Sequence, residues 1–186
     1  GNRGVAWNYN RALWTLRECD TIILVEADMW PIVDGWEIPW IEASRRWGQV
    51  NYAYECVTPP AGAGTAEDPW RCEAFGSQVV ATSQTALQRV GYQDPRFYAW
   101  KYSIAHAEWT FRFSRALNWP RFTMNDTPPC LRHGLRPVDV GSVYDPSLIA
   151  ESSELLVRIV NEDAYRLPWK DEMERDKFLN DVNTRG

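Results

Sequence analysis

No apolar run in this chain approaches the roughly 20 residues that a membrane-spanning helix needs, and no charged-then-apolar leader opens it. A soluble, cytoplasmic protein with no membrane span is the expectation. Basic residues are in deficit: 20 Lys and Arg stand against 25 Asp and Glu, for a net charge of −5. A general nucleic-acid binder neutralises phosphates with a basic face that would dominate so small a chain, so that class is set aside. Cysteine is sparse. The four present, Cys19, Cys56, Cys72 and Cys130, lack the paired spacing of a zinc site and the density of a disulfide scaffold, which leaves reduced thiols as the expectation. There is no internal repeat, and no glycine-rich phosphate loop near the start to announce a nucleotidyltransferase.

What is abundant is tryptophan, with eleven in 186 residues. An indole fills a core or stacks on a sugar ring; most are expected in packing and a few at a site. The length and the 45% hydrophobic content fit one domain with an appendage.

Apolar residues at Val5, Tyr9, Ala12, Leu13 and Leu16 recur at helical spacing and predict an amphipathic helix over 5–19. The run Thr21-Ile22-Ile23-Leu24-Val25 then predicts a central strand buried on both faces with helices on either side. It ends in Glu26-Ala27-Asp28, where a buried parallel strand of an α/β fold presents its ligands. Residues 36–47 read as a Trp-rich helix interrupted by Pro39, residues 50–56 as a strand, and the Pro/Gly/Ala-rich stretch within 58–69 as a mobile loop and candidate lid. A strand over 73–82 carries Gly76, whose missing side chain permits close approach of a ligand. Ser83 caps a helix over 84–90 that Gly91 ends. Helices are further predicted over 105–117, from Asp145-Pro146 onward, and over the charged stretch 170–182.

The string Asn2-Arg3-Gly4-Val5-Ala6-Trp7-Asn8-Tyr9-Asn10-Arg11-Ala12-Leu13, followed by the strand and by Val25-Glu26-Ala27-Asp28-Met29-Trp30-Pro31, resembles the GT-A glycosyltransferases, particularly their large, mostly inverting family. So do Glu73-Ala74-Phe75-Gly76-Ser77, the stretch from Gly91-Tyr92-Gln93-Asp94 to Phe97, and His106-Ala107-Glu108-Trp109. The order and spacing of these elements over roughly residues 1–118 carry the likeness. It implies an α/β, GT-A (Rossmann-like) mixed sheet flanked by helices, with a partial transferase domain over 1–145 and a peripheral helical C-terminal extension over 146–186. It further implies an upstream strand-helix-strand unit that holds the nucleotide base. The chain opens on Gly1 rather than Met and has no room for that unit, so a missing segment or a second chain is expected to supply it.

Transfer from a nucleotide-diphosphate sugar builds negative charge on the leaving group, which a divalent cation stabilises, and carboxylates suit Mn2+ or Mg2+. The resemblance makes Asp28, last acid of a DXD-like motif, the metal ligand. Glu26 stands where the family has aspartate and is expected at the ribose or a metal-bound water, with Asn8 and Gly76 beside it in donor binding. Alternatively, Glu26 and Asp28 cap a loop or pair with arginines. His106 stands where the family usually has the aspartate base; near a helix N-terminus it is biased to its neutral, basic form. Glu108 is the other candidate for base or acceptor anchor. The alternative pairs Glu108 with Arg112 one turn on and leaves His106 a cap. His133 is a candidate to complete the metal shell or an ordinary loop histidine. Trp70 and Trp100 are candidates to stack on a carbohydrate or other hydroxyl acceptor, or to fill the core. A catalytically inactive domain of the same fold, binding a glycan or a partner protein, is the competing reading.

Overall fold

The computed structural model describes residues 5–27, 29–52, 61–72, 78–94, 96–97, 105–116, 122–124, 131–133 and 146–161. Asp28, Gly76 and Trp100 lie outside these residues, as does the helix expected over 170–182.

The elements in chain order are α1 (Val5–Thr15), β1 (Thr21–Val25), β2 (Met29–Pro31), α2 (Glu37–Trp47), β3 (Gln49–Asn51), β4 (Trp70–Cys72), β5 (Val79–Ser83), α3 (Gln84–Val90), α4 (Ala105–Ala116), β6 (Phe122–Met124), β7 (Leu131–His133) and α5 (Pro146–Asn161). Five strands form one sheet in the order β1-β5-β3-β6-β4, and β2 pairs with β7 in a separate ribbon. The architecture is mixed α/β.

Side-chain alternation along β1 explains the layers. Ile22 and Leu24 point to one face, where Leu13 of α1, Leu87 of α3 and Trp109 and Phe113 of α4 join them in a core. Ile23 points to the other, packing against the cluster that holds Trp40 and Ala43 of α2 together with Val50, Val79 and Ala81. Helices therefore cover both faces, as predicted. Two other expectations for β1 fail. It is not central, because among the described residues it pairs only with β5, and that pairing is antiparallel. Its burial alternates, with Val25 39% exposed. Among the described strands β5, whose small Val-Val-Ala-Thr-Ser sequence lies between β1 and β3, is buried on both faces, as is the three-residue β3. Among the described pairings only β3 with β6 is parallel.

Pro39 does not interrupt α2. It is the third residue of the helix, and first-turn N–H groups have no intrahelical acceptor to lose. Helix α1 stops at Thr15, short of the predicted Cys19, where the Thr15 hydroxyl donates to the Arg11 carbonyl at 2.8 Å. The cap of α3 is as expected: the Ala86 N–H donates to Ser83 Oγ at 3.3 Å, and Gly91, at φ +84°, returns its N–H to Leu87 O at 2.6 Å. Strand β3 is described over Gln49–Asn51, and the rest of the strand predicted to 56, from residue 53 on, lies outside the described residues. The short strands β4, β6 and β7 had no predicted counterpart.

The stretch 61–69 is folded on itself rather than open. The N–H groups of Ala63, Gly64 and Thr65 converge on the Asp68 carbonyl at 2.9–3.2 Å, and Asp68 Oδ2 accepts a further bond from Ala63 N at 3.0 Å. Trp47 Nε1 donates to Ala66 O at 2.9 Å, tying the loop to α2.

Candidate functional site

Strand β1 hands over to the expected acids without a break in the ladder, since Glu26 N donates to Gln78 O at 2.8 Å. The Met29 N–H then donates to Glu26 O at 3.0 Å. This bond closes a tight connection between Glu26, at the end of β1, and Met29, the first residue of β2. Glu26 is half-buried there, and Tyr9 on α1 donates its hydroxyl to Glu26 Oε1 at 3.4 Å, a long bond. Asn8, the neighbour of Tyr9, is exposed.

The β2–β7 ribbon sets Met29 opposite His133, Trp30 opposite Arg132 and Pro31 opposite Leu131. Hydrogen-bonded or not, directly opposed residues of an antiparallel pair have Cα atoms within about 5.5 Å. The backbone of His133 is therefore held beside the residue that follows Asp28. Among the described residues no group of three or more His, Cys, Asp or Glu is placed to hold a metal ion; Asp28 is not one of those residues.

Glu108 takes the ion-pair alternative. It is 3% exposed, Arg112 is 6% exposed, and the guanidinium donates through Nε to Oε1 at 2.8 Å and through NH2 to Oε2. The fork continues into the backbone, with Arg112 NH1 donating to Tyr92 O at 2.8 Å and to Val90 O at 3.2 Å. Trp109 Nε1 donates to Gly91 O at 2.6 Å, and Asn10 exchanges two bonds with the Gln93 backbone at 2.7 and 2.8 Å. Side chains of α1 and α4 thus satisfy four successive carbonyls, from Val90 to Gln93. Sequence reasoning missed this clamp, although Asn10 and Arg112 each interrupt an apolar helical stripe, and a buried polar residue must find partners.

His106 sits half-buried in the first turn of α4. Ala105 shares a core cluster with Ala6 of α1, whereas Trp109 shares one with Leu13. The two helices therefore run in the same direction, and the N-terminus of α4 lies at the Tyr9–Glu26 end of the sheet. Trp70 is half-buried in β4 at the far edge of the sheet. Four inter-strand spacings of about 4.8 Å put it about 19 Å from β1, so the structure does not group it with Glu26.

Among the described residues no helix is long and apolar enough to cross a membrane. No protein-family model, curated protein or solved structure matches this chain.

Proposed function

We propose that this chain is the donor- and acceptor-binding part of a metal-dependent glycosyltransferase of the GT-A type, moving a sugar from a nucleotide-diphosphate donor to an acceptor hydroxyl. The observation that carries the reading is the pairing of Met29 with His133 directly after the turn of Glu26. It supports the expectation that a histidine far along the chain meets the strand-end acids, and an imidazole with carboxylate oxygens is a donor set that Mn2+ accepts. In this proposal Asp28 and His133 hold Mn2+ or Mg2+, and Glu26 contacts the ribose or a metal-bound water. Asn8 and Gly76 line the donor, and Trp100 meets the acceptor. The metal supplies charge stabilisation to the departing diphosphate.

His106 is the base that takes the acceptor proton. Glu108, with both oxygens engaged by Arg112, positions α4 against residues 90–93 instead. The unit expected to hold the nucleotide base, from a preceding segment or a second chain, belongs to the same proposal. So does the GT-A form of the sheet, which the one-sided pairing of β1 leaves room to extend.

The commitment of Glu108 to Arg112 also favours the second reading, a domain of this fold that binds without turnover. Hydrolysis of UDP-glucose, UDP-N-acetylglucosamine and GDP-mannose with Mn2+ or with a chelator, by the chain together with the segment or second chain that holds the base, separates the two. Metal-dependent hydrolysis of one donor, lost in His106→Ala, is the expected result. Metal-dependent binding without hydrolysis selects the inactive domain, and neither binding nor hydrolysis contradicts both.

A further inference from the structure

At the opposite end of β1 from Glu26, a cleft of about 310 Å3 opens between the end of α1 and the start of α3. Gln84 N donates to Asp20 O at 2.8 Å, fixing the first residue of α3 beside the residue that precedes β1. Four strand steps of about 3.4 Å separate this end from Val25, so the cleft lies about 14 Å from the strand-end acids. Trp14, Arg17 and Glu18 form one wall, Gln84, Leu87 and Gln88 of α3 the other, and Tyr92 completes the lining. The volume is at the lower end of the range for small-molecule pockets, room for one ring with a small substituent.

Arg17 decides the charge of that ligand. Its guanidinium lies over the Trp14 indole, 4.3 Å from the ring centroid, and its NH1 donates to Trp14 O at 3.0 Å. Stacking and hydrogen bond together hold the guanidinium plane in place before any ligand arrives. The one carboxylate beside it is Glu18, whose Oε1 is 3.5 Å from Arg17 Nε, well beyond the roughly 2.7–2.9 Å of a charge-assisted bond. The Glu18 side chain is 87% exposed, so water competes for it and it neutralises Arg17 only weakly. Among the described residues nothing is bonded to Arg17 NH2. A fixed cation with an open NH2 edge in a cleft suits an oxyanion.

The rest of the lining narrows the choice. Gln84 turns its oxygen into the protein, where solvent does not reach it, so the only polar group it can offer the cleft is its NH2. Gln88 is exposed and brings a second carboxamide donor. Burial raises the pKa of the Tyr92 phenol while Arg17 partly opposes the shift, so the hydroxyl is uncharged at neutral pH and does not repel an anion. Leu87 and the indole of Trp14 are the apolar part of the lining. One cation and one anion face the cleft, so Arg17 can match a single negative charge, whereas a doubly charged phosphate would set its surplus against Glu18. The apolar surface favours a carboxylate carried on an apolar body over a small inorganic ion.

We propose that this cleft binds a small organic monocarboxylate, with its charge on Arg17 and its apolar body against Leu87 and Trp14. Neither the metal nor the strand-end acids take part, so the assignment stands or falls independently of the transferase reading.

The test is a two-dimensional 1H–15N NMR titration of the whole chain with benzoate, cyclohexanecarboxylate, benzamide and inorganic phosphate, at neutral pH and constant ionic strength. Saturable shifts of the Trp14 indole N–H and of the Gln88 side-chain amide are expected for at least one of the two carboxylates. Benzamide, which has the shape of benzoate without its charge, should bind at least tenfold more weakly, the scale of a hydrogen bond to a charged group. Arg17→Gln should weaken the carboxylate by about the same factor at an unchanged thermal midpoint. Glu18→Gln, which removes the competing carboxylate from an exposed position, should tighten it. No saturable shift with either carboxylate, equal binding of benzamide, unchanged affinity in a folded Arg17→Gln protein, a Glu18→Gln protein that binds no tighter, or phosphate binding as tight as that of the carboxylates would overturn the assignment.

Discussion

Glu108 and Arg112 are both nearly sealed from solvent and lie one helical turn apart. Removing one partner of a buried pair leaves the other as an uncompensated charge, at about 3–5 kcal/mol. Glu108→Ala is therefore expected to lower the stability of the domain by that amount in urea unfolding. The double change of Glu108→Leu with Arg112→Met should recover much of it. A Glu108→Ala protein that is fully stable but inactive would instead make Glu108 the base. Tyr92 yields a pH prediction. Its folded-state pKa is raised from the ordinary 10.0, mainly by burial, so the native state keeps this proton longer than the unfolded chain does. The contribution is complete below that ordinary value and is lost as pH rises through the folded one. Wild-type stability should fall more steeply above pH 10.0 than that of Tyr92→Phe, a difference readable in thermal melts across that window. Identical slopes would place the phenol in water in the native state.

At the scale of elements, much was legible in residues 5–27 and 78–116, and the reasons are physical. The apolar stripe of α1, the Thr21–Val25 run of β1, the Ser83 cap and the Gly91 stop of α3 are local signals, and each is present. Strands β4, β6 and β7 are three residues each and gain their order from partners far along the chain, so no local pattern announces them. The antiparallel pairing of β1 has a related cause: its direction is set by the partner Val79–Ser83, far along the chain, and is not encoded in Thr-Ile-Ile-Leu-Val itself. Composition does not announce the internal hydrogen bonds of residues 61–69, which converge on Asp68. Gly62 has φ +105°, and a Cβ there would stand 2.5 Å from Pro69 O, so glycine permits a tight turn. Gly62→Ala is expected to destabilise by about 2 kcal/mol or more, because both the dihedral and the close approach oppose a side chain. A thermal midpoint within error of wild type would show that the loop opens freely.

For the whole molecule, the candidate site is legible in the sequence as a set of residue types, and only the resemblance, not any local pattern, suggests that His133 joins the acids. The acids at the end of β1 are visible in sequence, whereas the meeting of His133 with Met29 depends on a ribbon that joins residues about a hundred positions apart. The same topology that brings His133 in separates Trp70 to the far edge of the sheet. Direct binding of Mn2+ with UDP or GDP, followed by calorimetry on the chain together with the segment or second chain that holds the base, and on its Asp28→Ala, His133→Ala and Glu26→Ala variants, tests the central claim most directly. The account predicts nucleotide binding that requires Mn2+, is abolished by Asp28→Ala, falls at least tenfold in His133→Ala as expected for loss of one ligand or its support, and is weakened but retained in Glu26→Ala. Metal-independent binding, or Mn2+-dependent binding that survives Asp28→Ala unchanged in a folded protein, would contradict it.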